Sequence, residues 1–314
     1  MTQLGLGLAA LGRPEYLTIG HSRAVDGRFD PAALEQHCHA VLDAAWDSGI
    51  RHFDVARSYG LAEQFLGSWL SARPNRREEL VIGSKWGYAY VADFQRGAEV
   101  HEVKEHSVAR LAEQWPQTVR DLGGTPDHYL IHSVTPDSPA LRDAALLDDL
   151  RALAAGGTRI GISTSGPHQA DVVRAALATG VFGSVQSTWN PLEPSVAPAL
   201  AEAHQAGWFV VVKEAMANGR LVAENSELSA LADSAGVGRD ALALAVALAQ
   251  PWADVVLSGA ATVAQLEQNI AALSVDHDVI AAGDLNIADL NIADLDIAES
   301  PQSYWDNRSR MAWT

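Results

Sequence analysis

The chain has 314 residues, 48% of them hydrophobic, which suits one large core and a single domain running from residue 1 to residue 314. Its 22 Lys and Arg against 39 Asp and Glu give a formal charge of −17, which argues against nucleic acid or anionic lipid as partners. Cys38 is the one cysteine, so no intrachain disulfide can form. The first apolar patch, LGLGLAALG, is too short and glycine-rich for a secretory core or a membrane span, and the expected location is the cytoplasm.

In chain order, short β-rich runs alternate with longer amphipathic ones, the pattern of a parallel sheet with crossover helices. Strands are expected over Leu4–Leu8, Arg51–Val55, Leu80–Ser84, Asp127–His132, Thr158–Ser163, Ser184–Thr188, Trp208–Lys213 and Asp254–Ser258. Helices are expected between them over Pro31–Ser48, Ala62–Ala72, Ser107–Leu122, Ala140–Ala155, Gln169–Thr179, Ser195–Gln205, Asp240–Ala249 and Val263–Leu273. Asp30 before Pro31 reads as an N-cap with proline in the first turn. Two longer connections, Trp86–His106 and Glu214–Leu228, interrupt the pattern, and long loops on a compact domain are usually functional.

The tail, residues 282–314, carries the pentamer repeat GDLNI-ADLNI-ADLDI ending at Ile297, too few units for a solenoid and more simply a duplication in a tolerant loop. Beyond it, Tyr304, Trp305 and Trp313 supply apolar mass that could wall a pocket or pack on the surface. The pattern Gly5-x-Gly7-x-x-Ala10 looks formally like a dinucleotide fingerprint, but no strand-turn-helix context surrounds it, and a first strand accounts for its glycines. His37 and His39 are two apart on a helix and face different ways. No cluster has zinc spacing, so no metal is expected.

Four polar residues stand where hydrophobic runs give out: Asp54 and Tyr59 in FDVARSYG, Lys85 in VIGSKWG and His132 in YLIHSV. An ammonium beside a phenol stabilises the phenolate and eases proton release, while a carboxylate keeps a buried amine charged. With an imidazole to orient a carbonyl oxygen, the set can protonate C=O in one direction and deprotonate an alcohol in the other. Eight parallel strands with functional residues at their C-terminal ends favour closure into a barrel.

These strings resemble the Asp-Tyr-Lys-His motifs of the aldo-keto reductases in order and spacing. The similarity continues through GISTS, VQSTWNP, NGRL and SGAATVAQLEQN to about Leu273. The resemblance implies a (β/α)8 barrel that binds NADP(H) or NAD(H) over its C-terminal mouth and exchanges hydride with a small carbonyl or alcohol substrate. Asp54, Tyr59, Lys85 and His132 would then be catalytic. Ser163, Thr164 and Gln186 would hold the carboxamide, Thr164 standing where the family usually has Asn. Trp189 would stack on the nicotinamide, the alternative being core filling.

Lys213 and Gly219 would also face the cofactor, Lys213 having a second possibility in an ion pair with Glu214. Gly259, Ala260, Thr262, Gln265 and Asn269 would wrap the adenosine end, while Trp86 and Trp305 would wall the substrate pocket. The family often binds the 2′-phosphate of NADP with Lys or Arg here, yet no lysine or arginine lies between Ala253 and Gly283, which brings NAD forward. The chain is similar to the branch that oxidises sugars at the anomeric carbon, and reduction of a secondary-metabolite ketone or aldehyde fits as well. Two rival readings keep the barrel: a lyase with Lys85 as Schiff-base nucleophile, and a non-catalytic nicotinamide-binding regulatory subunit. No coiled-coil seam is visible, which favours a monomer.

Overall fold

The computed structural model describes residues 2–17, 30–95, 97–223, 228, 231–233, 236–275 and 297–313. In chain order the strands are β1 (Gln3–Gly7), β2 (His52–Asp54), β3 (Val81–Trp86), β4 (Tyr88–Tyr90), β5 (Glu102–Lys104), β6 (His128–Val134), β7 (Arg159–Thr164), β8 (Ser184–Thr188), β9 (Phe209–Lys213) and β10 (Val255–Ser258). Eight of them form a closed parallel barrel in the order β1, β2, β3, β6, β7, β8, β9, β10. Its seam runs from Gln3 opposite Val255 to Leu6 opposite Ser258. The fold is the (β/α)8 barrel expected from the alternating pattern, with every barrel strand within two residues of its predicted start.

The described helices are α1 (Pro31–Asp47), α2 (Ala62–Ser71), α3 (Val108–Leu122), α4 (Ala144–Ala155), α5 (Gln169–Thr179), α6 (Ala197–Gln205), α7 (Arg239–Leu248), α8 (Val263–Ile270) and α9 (Pro301–Ser309). Local chemistry sets their ends. The Asp30 carboxylate accepts from the Ala33 N–H to open α1, Ser107 accepts from Arg110 to open α3, and Asp143 accepts from Leu146 to open α4. Gly123, at φ +73°, ends α3 in the left-handed conformation that a side chain disfavours.

Barrel strands are covered on both faces, so β8 is buried at every residue although its sequence, SVQST, is largely polar. Inward residues alternate with residues that meet the helices: His52 and Asp54 of β2 point in, while Phe53 packs edge-on against Trp69 of α2 at 5.7 Å. The lower end of the barrel is plugged by His52, His128 and Phe209, with His128 lying 4.7 Å from the Phe209 ring. Burial holds both imidazoles neutral, His52 down to about 4 and His128 down to about 3. At Gly161 a Cβ would come within 2.4 Å of the Ser184 carbonyl, so only glycine lets β7 and β8 approach there.

Two features differ from expectation. The connection expected over Trp86–His106 contains an antiparallel hairpin, β4 with β5, paired from Tyr88–Lys104 to Tyr90–Glu102. The tail forms helix α9, opened by Ser300 accepting from Ser303 with Pro301 in the first turn, and it buries Tyr304 and Trp305. The pentamer repeat lies outside the described residues except for Ile297, which packs against the core. No described helix is long and apolar enough to cross a membrane, and no described group of His, Cys, Asp and Glu could hold a metal ion.

Candidate active site

The four residues singled out in the sequence converge at the C-terminal mouth of the barrel. Asp54 ends β2, Lys85 is the penultimate residue of β3, His132 lies in β6, and Tyr59 sits in the loop after β2. Lys85 Nζ donates to Asp54 Oδ2 at 2.5 Å and to the Val55 carbonyl at 3.0 Å, and its side chain is fully buried. Asp54 Oδ1 accepts from Gln186 Nε2 at 2.8 Å. The Lys85 amine lies 4.7 Å from the centroid of the Tyr59 ring, and the His132 ring meets that phenol edge-on at 5.6 Å.

His132 is aimed by a break in the ladder. The pairing of β6 with β7 shifts register between Ile131 and Val134, and Ser133 takes a φ of +53°. The Ser133 N–H then donates to Ser163 Oγ at 2.8 Å, the His132 carbonyl accepts from His106 Nε2 at 2.8 Å, and His132 Nδ1 lies 3.4 Å from Ser58 Oγ. Burial, followed by the charges of Lys85, Lys213 and Arg13, holds the imidazole well below its ordinary value and therefore neutral.

Asp54, Tyr59, His132 and Gln186 line a cavity of about 260 Å³. Gly7, Leu257 and Gly259 line it as well, and a Cβ on Gly259 would meet nothing within 4 Å. Of the outer wall, only Trp313 was singled out in the sequence. The wall consists of Arg13 and Tyr16 from the first loop, Tyr88 and Glu102 from the hairpin, and Arg308 and Trp313 from the tail.

Arg13 joins these pieces. It donates to the Ser58 carbonyl at 2.9 Å and to Glu102 at 2.6 Å, and its guanidinium lies 5.4 Å from the Tyr59 ring and 4.7 Å from the Trp313 ring. Trp313 stacks on His101 at 4.1 Å. Helix α9 is tied to the end of β9 by Arg308, whose guanidinium makes a two-pronged pair with Glu214, a residue held at φ +57°.

Burial dominates the state of the phenol. Lys85 is expected to make Tyr59 more acidic. Instead burial pushes Tyr59 well above its ordinary value, Asp54 adds to the rise, and the cation opposing it is Arg13. Lys213 also lines the cavity. It donates to Thr188 Oγ1 at 2.7 Å and lies 3.9 Å from Glu214, and burial, partly offset by Glu214, brings it down to about 8.

Several other predicted residues face elsewhere. Trp86 follows inward-pointing Lys85 on the same strand and so points outward, buried edge-on to His106 at 6.1 Å; it is not a wall of the cavity. Thr164 follows inward Ser163 and turns its hydroxyl to Ser187 at 2.7 Å and Gln169 at 3.0 Å, away from the cavity; Ser165, one residue on, lines it. Trp189, three residues past inward Gln186, packs on Trp252 at 5.7 Å in the core rather than on a cofactor ring.

Trp305 stands behind the wall, 5.8 Å from Lys213 and 5.2 Å from Arg308, with Trp313 taking the lining position. Gly219 and Gly259 line the cavity, whereas Ala260, Thr262, Gln265 and Asn269 do not. Thr262 caps α8, Gln265 accepts from the Ala261 N–H at 2.8 Å, and Asn269 donates to Ser258 Oγ at 2.8 Å.

The model of the aldo/keto reductase family matches residues 3–284, and the chain belongs to that family of oxidoreductase enzymes. Among curated relatives it is 41% identical over 71 residues to a D-threo-aldose 1-dehydrogenase from a Pseudomonas species, an alignment covering 22% of this chain and 21% of that one. It is 31% identical over 161 residues to an aldo-keto reductase from Gibberella moniliformis, covering 50% of this chain and 45% of that one, so the chain matches less than half the length of either relative. A 6-dehydroglucose reductase from Novosphingobium aromaticivorans is 25% identical over 290 residues, covering 83% of this chain and 91% of that one. The holo form of an aldo-keto reductase from Bacillus halodurans shares the fold, with a TM-score of 0.65 at 20% identity over 99% of this chain and 93% of that one.

Proposed function

We propose that the chain transfers hydride between a nicotinamide cofactor and a small carbonyl or alcohol, with Tyr59 as general acid and base. The observation that carries this reading is the meeting of Tyr59 and neutral His132 above the buried Asp54–Lys85 pair, in one cavity. The cofactor, when bound, supplies or accepts the hydride. In the direction of reduction, the Tyr59 hydroxyl donates its proton to the carbonyl oxygen, and the uncharged His132 ring donates a hydrogen bond that orients that oxygen. A phenol held above its ordinary value keeps its proton at neutral pH until an alkoxide forms beside it.

The cavity suits a nicotinamide ring and its ribose. Gly7 and Gly259 line it without side chains, and the buried Asn218 Oδ1, which has no hydrogen-bond partner among the described residues, is an acceptor for an amide or hydroxyl. With no lysine or arginine between Ala253 and Gly283 to meet a 2′-phosphate, NAD(H) is the better match than NADP(H). The polar and aromatic outer wall, together with two relatives named for aldose and dehydroglucose, supports a polyhydroxylated substrate. The lyase reading loses support because Lys85 is fully buried, bound to Asp54 and not among the residues that line the cavity.

Tyr59→Phe tests the assignment. Turnover over a panel of sugars, aldehydes and ketones should fall below detection, while NADH affinity, read by fluorescence, stays within about twofold of wild type. Loss of both together would contradict the role given to Tyr59, and tight cofactor binding by a wild type inert across the panel would favour the regulatory reading.

A further inference from the structure

We propose that Lys213 makes this cavity select the oxidation state of its cofactor, holding the neutral reduced nicotinamide in preference to the cationic oxidised one. The inference rests on the reading above, that the ring enters this cavity, and concerns a property that reading leaves open.

The argument is one of charge balance. Asp54 is bound to Lys85 at 2.5 Å, Glu102 to Arg13 at 2.6 Å, and Glu214 to Arg308 through two hydrogen bonds. Each pair is neutral as a unit, and His132 is uncharged. Among the described residues that line the cavity, Lys213 is the cation left over. Its close contact is the uncharged hydroxyl of Thr188 at 2.7 Å, while its nearest carboxylate oxygen, on Glu214, is 3.9 Å away and already accepts from Arg308. Counted over the described residues, a buried wall with one positive charge in excess therefore faces whatever occupies the space.

Removing hydride from a dihydropyridine leaves a ring with one positive charge, so the two cofactor forms differ in charge where Lys213 acts. Across a cavity of this size, with an effective dielectric of ~30, one unit charge alters the preference between the forms by about tenfold. At equal cofactor concentrations the bias fills the cavity with the reduced form, without moving the overall equilibrium of the reaction. If the Lys213 charge instead met a phosphate of the dinucleotide, it would strengthen both forms alike, so the ratio of affinities separates the two roles.

The test is to titrate the full-length protein separately with NADH and NAD⁺, reading protein fluorescence, in wild type, Lys213→Met, Lys213→Gln and Lys213→Arg. The two neutral variants should lower the preference for NADH by about tenfold, mainly by tightening NAD⁺, and the arginine variant should keep it. Measuring both neutral variants guards against one of them failing to fold. An unchanged ratio, or equal weakening of both forms, overturns the proposal while the nicotinamide reading stands. Failure of wild type to bind either form removes both.

Discussion

The ion pair beneath the cavity yields the sharpest quantitative test. Asp54 is 3% exposed and Lys85 is fully buried, and among the described residues the ammonium's other hydrogen bond goes to the Val55 carbonyl at 3.0 Å. Asp54→Asn keeps the shape and an acceptor for Gln186 but leaves a buried cation with one neutral oxygen. Breaking a buried pair from one side in this way costs ~3–5 kcal/mol. Lys85→Met strands the carboxylate instead, with Gln186 as its remaining donor, and should cost a similar amount. The double variant buries no charge at this point, so it should be more stable than the sum of the single changes allows, with a coupling energy of about 3 kcal/mol. Guanidinium unfolding followed by circular dichroism, with equal slopes across the four proteins, measures all of these. If the single variants lose less than about 1 kcal/mol each, or the double loses their sum, the pair is not the buried, mutually dependent unit described here.

Two further outcomes follow from the charges around it. Glu214, despite burial that would raise it, is brought down from 4.5 to about 2 by Arg308 and Lys213, so its contribution is complete above the ordinary carboxylate value and is lost as pH falls from about 4.5 toward about 2. Over that window it amounts to roughly 3 kcal/mol, and Glu214→Gln should flatten the corresponding part of the acid limb in urea titrations at pH 5 and pH 3; a wild-type-to-variant difference that stays constant between them refutes the linkage. His132 is held well below 6.5 by burial and neighbouring cations, so the pH profile of kcat/KM for carbonyl reduction should lack a limb from this residue between pH 5.5 and 8. A limb near 6.5 that vanishes in His132→Gln counts against a neutral imidazole.

The parts legible in the sequence are those that local pattern determines. Alternating β-rich and amphipathic runs specify eight strands and their crossovers, and capping residues such as Asp30 and Ser107 mark helix starts to within a residue. Asp54, Lys85 and His132 were visible because each stands at the end of a hydrophobic run. The outer wall apart from Trp313 was not, because it is assembled over long separations: Arg13 meets Glu102 across 89 residues, and Arg308 meets Glu214 across 94. No local pattern encodes such pairings, and the left-handed backbone at Glu214 has no glycine to announce it.

The misplaced residues have a different cause, because their faces were present in the sequence. A strand alternates faces, so once Lys85 points into the barrel, Trp86 must point out. Counting from inward Gln186, Trp189 falls on the outer face, and counting from inward Ser163, Thr164 does too while Ser165 returns to the cavity. Resemblance to a family locates a motif along the chain but leaves the facing of each residue to the period of two. Combining the strand-end rule with that period selects Ser165 over Thr164 and consigns Trp86 and Trp189 to the core. For the same reason Lys213 points inward with Val211, two residues earlier on β9, so its charge at the cavity wall follows from register rather than from loop placement.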